Sequence, residues 1–435
     1  MSVRPIPAHV YVERRKRFRE QIGEGVALIP GAGLKRRTAD IDFPFRQHSD
    51  LLYVSGFDQP DAAAVITRDR FVMFVQPRDP DAETWTGIRP GIDGACEQFG
   101  ADEAYPISEL DEKLPGLIEN VPRLFYPFGE YGSYDQRVVR ALEAVRRRAR
   151  KGATAPRDIA DPRAILHEMR LFKSPEEIEI MRAAAEISRE AHRSAARLCQ
   201  PGHHEYEVEA ELIHTFRRRG GSGPAYPSIV GSGENGTILH YIENGSRIEP
   251  GQLVLIDAGT ELHGYASDVT RTYPVGGSFE GAARDVYSLV LEAQKAGLRE
   301  VRPGSTLPTI HDRVVRTLVE GLVELGALEG DSKTLIEQTA YTPFYMHSTS
   351  HWLGLDVHDV GDYQLEGKPR TLEAGMVFTV EPGLYFPSRD ERTPEHLRGI
   401  GVRIEDDIVV TDEGFENLTA SIPKEPEEVE AWVRA

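Results

Sequence analysis

The chain has 435 residues and a formal charge of −19, from 51 Lys and Arg side chains against 70 Asp and Glu. This negative excess argues against nucleic acids and anionic membranes as partners, because their phosphates bind Lys and Arg. A hydrophobic content of 40% is ordinary for globular proteins, and the length predicts two or three domains.

The negative charge divides the chain into two parts. Residues 1–173 hold 27 basic and 26 acidic side chains, whereas residues 174–435 hold 24 basic and 44 acidic ones. We therefore predict an N-terminal domain over 1–173 and a C-terminal domain over 174–435. The two cysteines and the lack of an apolar secretion-type segment near the N-terminus predict a cytoplasmic location.

The first part alternates between helical and strand patterns. Ala8–Ile22 has helical spacing, Leu51–Phe57 is a candidate buried strand, and residues 62–67 and 71–76 are candidate hairpin strands. Tyr134–Lys151 is a strongly basic candidate helix. The pattern predicts an α/β domain with a small mixed sheet and covering helices.

The second part begins with a strong helix signal. Ser174 is a candidate N-cap, Pro175 stands at the first helical position, and Glu177 completes a capping box. Apolar residues recur at three- and four-residue spacing to Leu198, and a second amphipathic helix is predicted over His204–Arg219.

Short β runs and two further helices make up the rest of this part. The runs are 252–257, 264–275, 376–385 and 401–411, and the helices are Phe279–Arg302 and Ile310–Leu325. Helices that are segregated from hairpins, without βαβ alternation, predict an α+β domain with an antiparallel sheet.

One pair of carboxylates stands out in the first β runs. Asp257 ends an apolar run, and a hairpin turn around Leu262–His263 would bring it opposite Asp268. Facing carboxylates repel unless a positive group lies between them, so the pair indicates a metal site. The alternative is that Asp268 is exposed to solvent and Asp257 caps a turn.

The second β pair has the same feature. Glu381 follows the apolar run MVFTV, and Glu405 lies two residues after Arg403, on the same strand face. Asp406 and Asp407 are consistent with a solvated face, but the position of Glu381 is not.

Three histidines fall within twelve positions, at His347, His351 and His358. The HExxH zinc signature and Cys-rich spacings are absent. Four carboxylates with one histidine form an oxygen-rich set that favours hard or borderline divalent ions, Mn²⁺ in particular. Their charge would balance two such ions, and paired metals activate water for hydrolysis.

These segments resemble the metal-site motifs of the creatinase/methionine-aminopeptidase ("pita-bread") superfamily, and most closely those of bacterial Xaa-Pro aminopeptidases (aminopeptidase P). The motifs are VLIDAGTELHGYASDVTRTYPV, HSTSHWLGLDVHDVG, GMVFTVEPGLY and RGIGVRIEDDIVVT. In the first part, DFPFRQHSDLLYVSGFDQPDAA resembles the N-terminal domain of that family. The family usually has Gly where Ser348 stands, and we expect Ser to strain this loop if that Gly needs a left-handed backbone.

The resemblance implies a set of site residues and cofactors. The implied metal ligands are Asp257, Asp268, His351, Glu381 and Glu405, for two divalent ions with Mn²⁺ preferred over Zn²⁺, Co²⁺ or Fe²⁺. The implied catalytic residues are His240, His347, His358, Glu381 and Arg403. Tyr385 and Trp85 are assigned to the substrate site, with Tyr385 also orienting ligands and Trp85 reaching a neighbouring subunit in a homodimer or homotetramer.

The resemblance predicts an aminopeptidase that hydrolyses the N-terminal Xaa-Pro bond of peptides, with a metal-bridging hydroxide as the nucleophile. Glu381 would carry the proton from water to the proline nitrogen, and His358 or His240 would stabilise the oxyanion. Two alternatives stay open at this point: a prolidase that acts on Xaa-Pro dipeptides, and a non-catalytic binding protein with the same fold.

Overall fold

The structure is a computed structural model that describes residues 4–435. The chain divides into two compact units, Ile6–Arg170 and Leu171–Ala435, with Arg4 and Pro5 grouped with the latter. We call them the first and the second unit. Within the described residues, no helix combines the length and the apolar character needed to span a bilayer.

The first unit is built on one six-stranded sheet with helices around it. Its sheet has the order β6-β5-β4-β1-β7-β8 and contains both parallel and antiparallel pairs. The elements are α1 (Ala8–Ile22), β1 (Val26–Pro30), β2 (Arg36–Thr38), β3 (Ile41–Asp42), α2 (Ser49–Ser55), β4 (Ala63–Ile66), β5 (Phe71–Val75), α3 (Pro80–Thr86), α4 (Gly91–Glu97), β6 (Glu103–Pro106), α5 (Leu110–Ile118), β7 (Arg123–Phe125), α6 (Gly132–Arg147), β8 (Asp158–Ala160) and α7 (Arg163–Leu171).

The strand predicted over Leu51–Phe57 is wrong, because this segment forms helix α2. Asp50 lies in its first turn, and Gly56 ends it in a left-handed conformation with φ 69°. A short apolar run is compatible with either a buried strand or a buried helix, and here the glycine that ends the helix was the overlooked signal.

The second unit contains four long helices and only antiparallel strand pairs. Its elements are α8 (Pro175–Ala196), α9 (Glu205–Arg218), β9 (Gly223–Pro224), β10 (Ile229–Ser232), β11 (Leu253–Asp257), β12 (Thr260–Leu262), β13 (Tyr265–Ala266), β14 (Thr270–Pro274), α10 (Gly281–Leu298), α11 (Leu307–Glu324), α12 (Ser332–Glu337), β15 (Gln364–Leu365), β16 (Lys368–Pro369), β17 (Val377–Val380), β18 (Gly383–Phe386), β19 (Ile400–Arg403), β20 (Asp406–Val410), β21 (Phe415–Asn417) and α13 (Pro426–Arg434).

Helix α8 begins as its sequence predicts. The Ser174 side chain accepts a hydrogen bond from the Glu177 backbone N–H, and the Glu177 side chain accepts one from the Ser174 N–H. Pro175 occupies the first helical position, where a missing N–H costs nothing. This capping box sets the start of the helix that covers the second unit's sheets.

The turn between β12 and β13 brings the two halves of the first β pair together. His263 and Gly264 both have positive φ, at 50° and 87°, as a two-residue hairpin turn requires. Further along the hairpin, a Cβ on Gly259 would lie only 1.8 Å from the Ser267 carbonyl oxygen. Gly259 thus lets the two strands approach closely next to Asp257 and Asp268.

The sheets and helices of the second unit enclose a large apolar core. Strand residues such as Val254 and Ile256 pack with helix residues such as Val290 and Leu318, all fully buried. The predicted mixed α+β architecture, with a mixed sheet in the first part and antiparallel sheets in the second, is confirmed.

Candidate metal centre

The first two carboxylates lie at the end of β11 and just before its partner strand β14. Asp257 is the last residue of β11 and is opposite Thr270 in β14, two residues beyond Asp268. The hydroxyl of Tyr226 lies 2.7 Å from Asp257 Oδ1 and 2.5 Å from Asp268 Oδ1. The two carboxylates are therefore brought together as predicted, although the residue directly opposite Asp257 is Thr270.

The second two carboxylates lie at neighbouring ends of the paired strands β17 and β20. Glu381 comes directly after β17, and Glu405 lies between β19 and β20. Thr270 ties Glu405 to the first pair: its carbonyl accepts the Glu405 N–H at 3.1 Å, and its hydroxyl donates to Glu405 Oε2 at 2.7 Å. The two β pairs thus converge on one site.

His351 supplies the nitrogen of this site. Its backbone runs beside β17, since Thr379 N–H donates to the His351 carbonyl at 3.0 Å. Nδ1 lies 3.0 Å from the Trp352 carbonyl, which can only accept, so Nδ1 carries the proton. Nε2 is then free to face Asp268 at 3.3 Å and Glu381 at 3.4 Å.

A cavity of about 440 Å³ opens over these groups. Its polar wall includes all four carboxylates, His351 and Arg403, and its other wall is largely apolar, with Pro227, Ile229, Leu239, Ile242 and Val357. A pocket with one apolar side and a few convergent charged groups is typical of a small-molecule or peptide site.

Arg403 is the cation of the site. Its guanidinium donates to Asp257 Oδ2 at 2.6 Å through Nη2 and to the Tyr385 hydroxyl at 2.9 Å through Nη1. The side chain is 4% exposed, so the pair with Asp257 is shielded from solvent. Although burial lowers the pKa of Arg403, Tyr385 and Asp257 raise it well above its usual range, so it stays charged.

The carboxylates crowd one another. Burial raises the pKa of Asp257 and of Glu405, and the neighbouring carboxylate of Asp268 raises both further. Burial likewise raises the pKa of Glu381 to about 7. Burial lowers the pKa of His351, but the Asp268 hydrogen bond and the Glu381 charge raise it to about 9. Burial is the largest cause of the three carboxylate shifts, and repulsion from neighbouring carboxylates adds to it.

The residues present fit divalent metal ions. One ligand atom each of Asp268, His351 and Glu405 lies within 4.8 Å of the others, although these residues come from distant parts of the chain. Asp257 and Glu381 line the same cavity. A buried set of four carboxylates with one imidazole and one guanidinium needs further positive charge, and oxygen-rich donors match hard or borderline cations.

The remaining predicted residues fall into different places. His240, His347 and His358 line the cavity. The His358 ring lies 4.5 Å from that of His351, centroid to centroid, at 78°. Trp85 lies in α3 of the first unit with 89% of its side chain exposed.

The structure corrects the interpretation of Asp406 and Asp407 and places Tyr385 in the interior. Tyr385 is fully buried, and its hydroxyl accepts a hydrogen bond from Arg403. Asp406 and Asp407 are not solvated but are buried, at 0% and 1% exposure. Asp406 faces Arg271 and Lys424, and Asp407 Oδ2 accepts the Asp268 N–H at 3.1 Å.

Ser348 causes no backbone strain. It is not among the residues with positive φ, so this position does not require glycine. The condition under which we expected strain at this position, a left-handed backbone, is therefore not met.

Sequence reasoning missed two hydroxyl groups that hold the carboxylates, those of Tyr226 and Thr270. Tyr226 lies between Gly223–Pro224 and Pro227 in a loop without periodicity, so no pattern marks it. Thr270 was detectable, because it is two residues beyond Asp268 and therefore on the same face of a strand.

Comparison with known proteins identifies the family of the chain. Residues 179–412 match the metallopeptidase family M24, and residues 11–126 match the aminopeptidase P N-terminal domain. The chain belongs to metallopeptidase family M24, in the group that carries the aminopeptidase P N-terminal domain.

Two bacterial Xaa-Pro aminopeptidases are similar to this chain over almost its whole length. The chain is 49% identical to an Xaa-Pro aminopeptidase of Escherichia coli over 98% of its own length and 97% of the relative's, and 43% identical to one of Haemophilus influenzae over the same shares.

Solved structures of aminopeptidases P have the same fold as this chain. Aminopeptidase PepP of Pseudomonas aeruginosa matches with a TM-score of 0.98 at 45% identity, covering 100% of this chain and 99% of that one. A Zn-substituted E. coli aminopeptidase P in complex with product matches with a TM-score of 0.96 at 48% identity, covering 99% of each chain. The resemblance inferred from the motifs and the pita-bread fold are both confirmed.

Proposed function

We propose that this chain is a metal-dependent aminopeptidase that hydrolyses the N-terminal Xaa-Pro bond of peptides and releases the first amino acid. The observation that carries the proposal is the meeting of Asp268, His351 and Glu405 in one cavity. The whole-length identity to Xaa-Pro aminopeptidases supports the choice of substrate.

The proposed ligands are Asp257, Asp268, His351, Glu381 and Glu405, for two divalent ions. Mn²⁺ is our preferred ion because four of the five donors are carboxylates, with Zn²⁺, Co²⁺ and Fe²⁺ as alternatives. Bound divalent ions supply Lewis acidity toward the scissile carbonyl and the attacking water.

In this proposal one carboxylate transfers the proton, and one of two histidines stabilises the developing negative charge. Glu381 faces the cavity and takes the proton of the attacking water, then returns it to the proline nitrogen as the bond breaks. His358 or His240, on the cavity wall, stabilises the negative charge that develops on the carbonyl oxygen.

A chain of hydrogen bonds behind the cavity orients these groups. Nδ1 of His347 lies 2.8 Å from the Ser348 carbonyl, so Nε2 is the acceptor for the Tyr385 hydroxyl at 2.9 Å. The Tyr385 oxygen in turn accepts from Arg403, which holds Asp257. Burial lowers the pKa of His347 to about 3, so it stays neutral. We therefore assign His347 to orientation of Tyr385 and Arg403.

The apolar wall matches a prolyl ring. Leu239, Ile242 and Val357 offer hydrocarbon surface beside the carboxylates. The nitrogen of an Xaa-Pro bond carries no hydrogen, so recognition must come from the shape of the ring and not from a donated hydrogen bond.

The test is hydrolysis of a tripeptide Xaa-Pro-Yaa by protein stripped of metal and then loaded with Mn²⁺. We expect release of free Xaa that depends on Mn²⁺, and little release from Xaa-Ala-Yaa. Asp257→Asn and Glu381→Ala should abolish turnover, whereas Asp285→Asn, at an exposed position on α10, should not change it.

The same assay separates the alternatives. A strong preference for the dipeptide Xaa-Pro over the tripeptide would identify a prolidase instead. Failure of Mn²⁺ to increase the rate would favour a non-catalytic protein with this fold.

We further propose that residues 1–173 form a domain for substrate access and oligomer contacts, with catalysis in residues 174–435. Trp85 and Ile88 are 89% and 79% exposed, which supports burial against a second subunit in a homodimer or homotetramer. Light scattering of the wild type and of Trp85→Ala tests this. Two free cysteines, Cys96 and Cys199, support a cytoplasmic location.

A further inference from the structure

A buried carboxylate outside the candidate metal centre organises one wall of the cavity. Glu205 is the first residue of α9, and none of its side chain is exposed. Its oxygens accept hydrogen bonds from Ser232 N–H at 2.7 Å, Ser232 Oγ at 2.8 Å, Asn235 Nδ2 at 3.0 Å, Tyr241 Oη at 2.8 Å and Ser246 N–H at 2.8 Å.

All of these donors lie in one stretch, residues 232–246, which we call the wall segment. It begins at the last residue of β10, an edge strand of its sheet. Asn244 fastens the segment to that edge, since its side chain accepts from Val230 N–H at 3.0 Å and donates to the Ser228 carbonyl at 2.9 Å. Asn244 has φ 46°, a conformation that asparagine tolerates better than most residues.

The wall segment carries Leu239, His240 and Ile242, three residues that line the cavity. His240 and Ile242 are exposed, so packing does little to fix them. The residue between them, Tyr241, is buried, and its hydroxyl is bound to Glu205. The position of His240 therefore depends on its neighbour's hydrogen bond to Glu205.

We propose that Glu205 is a positioning residue that holds the wall segment, and with it His240, in the geometry that receives substrate. Glu205 does not line the cavity itself, because both of its oxygens accept hydrogen bonds from N–H and O–H groups of the wall segment. This inference rests on the proposed function, since it concerns the wall against which the peptide would lie.

A purely structural role would have a different signature. A carboxylate that only stabilised the fold would, on removal, weaken metal binding and turnover together. A carboxylate that acts through the wall segment leaves the metal ligands intact, because none of them lies between residues 232 and 246.

The experiment compares Glu205→Gln with a matched control, Glu207→Gln, on the same turn of α9. Glu207 is 43% exposed and lies 3.5 Å from the rings of His203 and His204. Its side chain also accepts the His204 backbone N–H at 2.7 Å, a bond that the amide oxygen of glutamine can keep. For Glu205→Gln we expect kcat/KM toward Xaa-Pro-Yaa to fall about tenfold or more, mainly through KM. The affinity of the stripped protein for Mn²⁺, measured by calorimetry, should stay within about twofold.

A double-mutant cycle with His240→Ala decides whether Glu205 acts through the segment. We expect the two losses in kcat/KM to be strongly non-additive. His240→Ala removes the imidazole, and Glu205→Gln removes the hydrogen bonds that hold this imidazole in place, so both changes eliminate the same interaction with substrate. Additive losses, or a parallel loss of Mn²⁺ affinity, would overturn the proposal. Tyr241→Phe removes a single hydroxyl and should give a smaller loss of the same kind, which keeps the test open if Glu205→Gln does not fold.

Hydrogen exchange gives a readout that does not depend on activity. In Glu205→Gln, amides of residues 232–246 should exchange faster, while those of β11 and β14 keep their wild-type rates. Unchanged exchange in the wall segment would also overturn the proposal. If the wild type has no Xaa-Pro activity, the proposed function fails, but exchange still reports on Glu205.

Discussion

Arg271 and Asp406 form an ion pair of 2.7 Å in which neither side chain is exposed. Arg271 also donates to the Glu405 and Thr270 carbonyls, and Asp406 accepts from Lys424, Gln294, Asn417 and Thr419. The pair therefore joins β14 and β20, the strands next to Asp268 and Glu405. A buried charge of this kind is stable only while its partner is present.

We predict that Asp406→Asn lowers the free energy of unfolding by about 3–5 kcal/mol, since it leaves Arg271 buried without a counter-charge. Urea unfolding with a chelator present measures this without a contribution from metal. The control is Glu416→Gln, which breaks the exposed pair of Glu416 with Arg182 and should cost less than about 1 kcal/mol. Equal effects of the two changes would contradict a special role for the buried pair.

The hydroxyl of Tyr226 has one proton and two carboxylates within hydrogen-bonding distance. Tyr226→Phe removes that shared proton and lets Asp257 and Asp268 move apart, so we predict a loss in Mn²⁺ affinity of about tenfold. Calorimetric titration of the stripped protein measures it. Tyr206→Phe, at an exposed tyrosine on α9, should leave the affinity unchanged; an unchanged affinity in Tyr226→Phe would show that the hydroxyl is dispensable.

His192 predicts a pH-dependent stability. Burial lowers the pKa of this fully enclosed side chain to about 4, against about 6.5 for an exposed histidine. Between pH 4 and pH 6.5, His192 is therefore protonated in the unfolded chain but neutral in the folded chain. The contribution of neutral His192 to the free energy of unfolding is complete above pH 6.5. It is lost as the pH falls toward 4, and the total loss is at most about 3 kcal/mol.

Unfolding of His192→Gln and of the wild type at pH 5 and pH 7.5 tests this. Gln can still donate to the Ala258 carbonyl that His192 contacts at 2.9 Å. We expect the stability of the variant to change less with pH than that of the wild type. Identical pH dependence would mean that the pKa of His192 is the same in the folded and the unfolded chain.

Metal addition should stabilise the stripped protein. A ligand that binds only the folded state adds about 2.7 kcal/mol at a concentration of 100 times its Kd. We predict that Mn²⁺ raises the Tm of the wild type and that Asp268→Asn abolishes most of this rise. A thermal shift of the same size in Asp268→Asn would place the bound ion elsewhere.

Local sequence signals predicted the parts of the fold whose causes are local. The start of α8 follows from Ser174, Pro175 and Glu177. Acids that end apolar runs, Asp257 and Glu381, pointed to the cavity that they line. Where the cause is distant in sequence, prediction failed. The local sequence around Asp406 is compatible with an exposed side chain. Asp406 is buried because it forms an ion pair with Arg271, which is 135 residues away in the sequence.

The same limit applies to the cavity walls. Glu205 stands at a helix start, where an acid is common and needs no explanation. Its hydrogen bonds to residues 232–246 depend on how α9 packs against β10, which no periodicity encodes.

The scatter of the site along the chain has a consequence for synthesis. Asp268, His351 and Glu405 meet only when the chain from β14 to β20 is complete. At roughly 5–20 residues per second, the ribosome needs roughly 7–27 seconds to add the stretch from Asp268 to Glu405. During that interval the chain holds Asp257 and Asp268 but not yet Glu405. The full set of candidate donors therefore exists only once nearly all of the second unit has been synthesised.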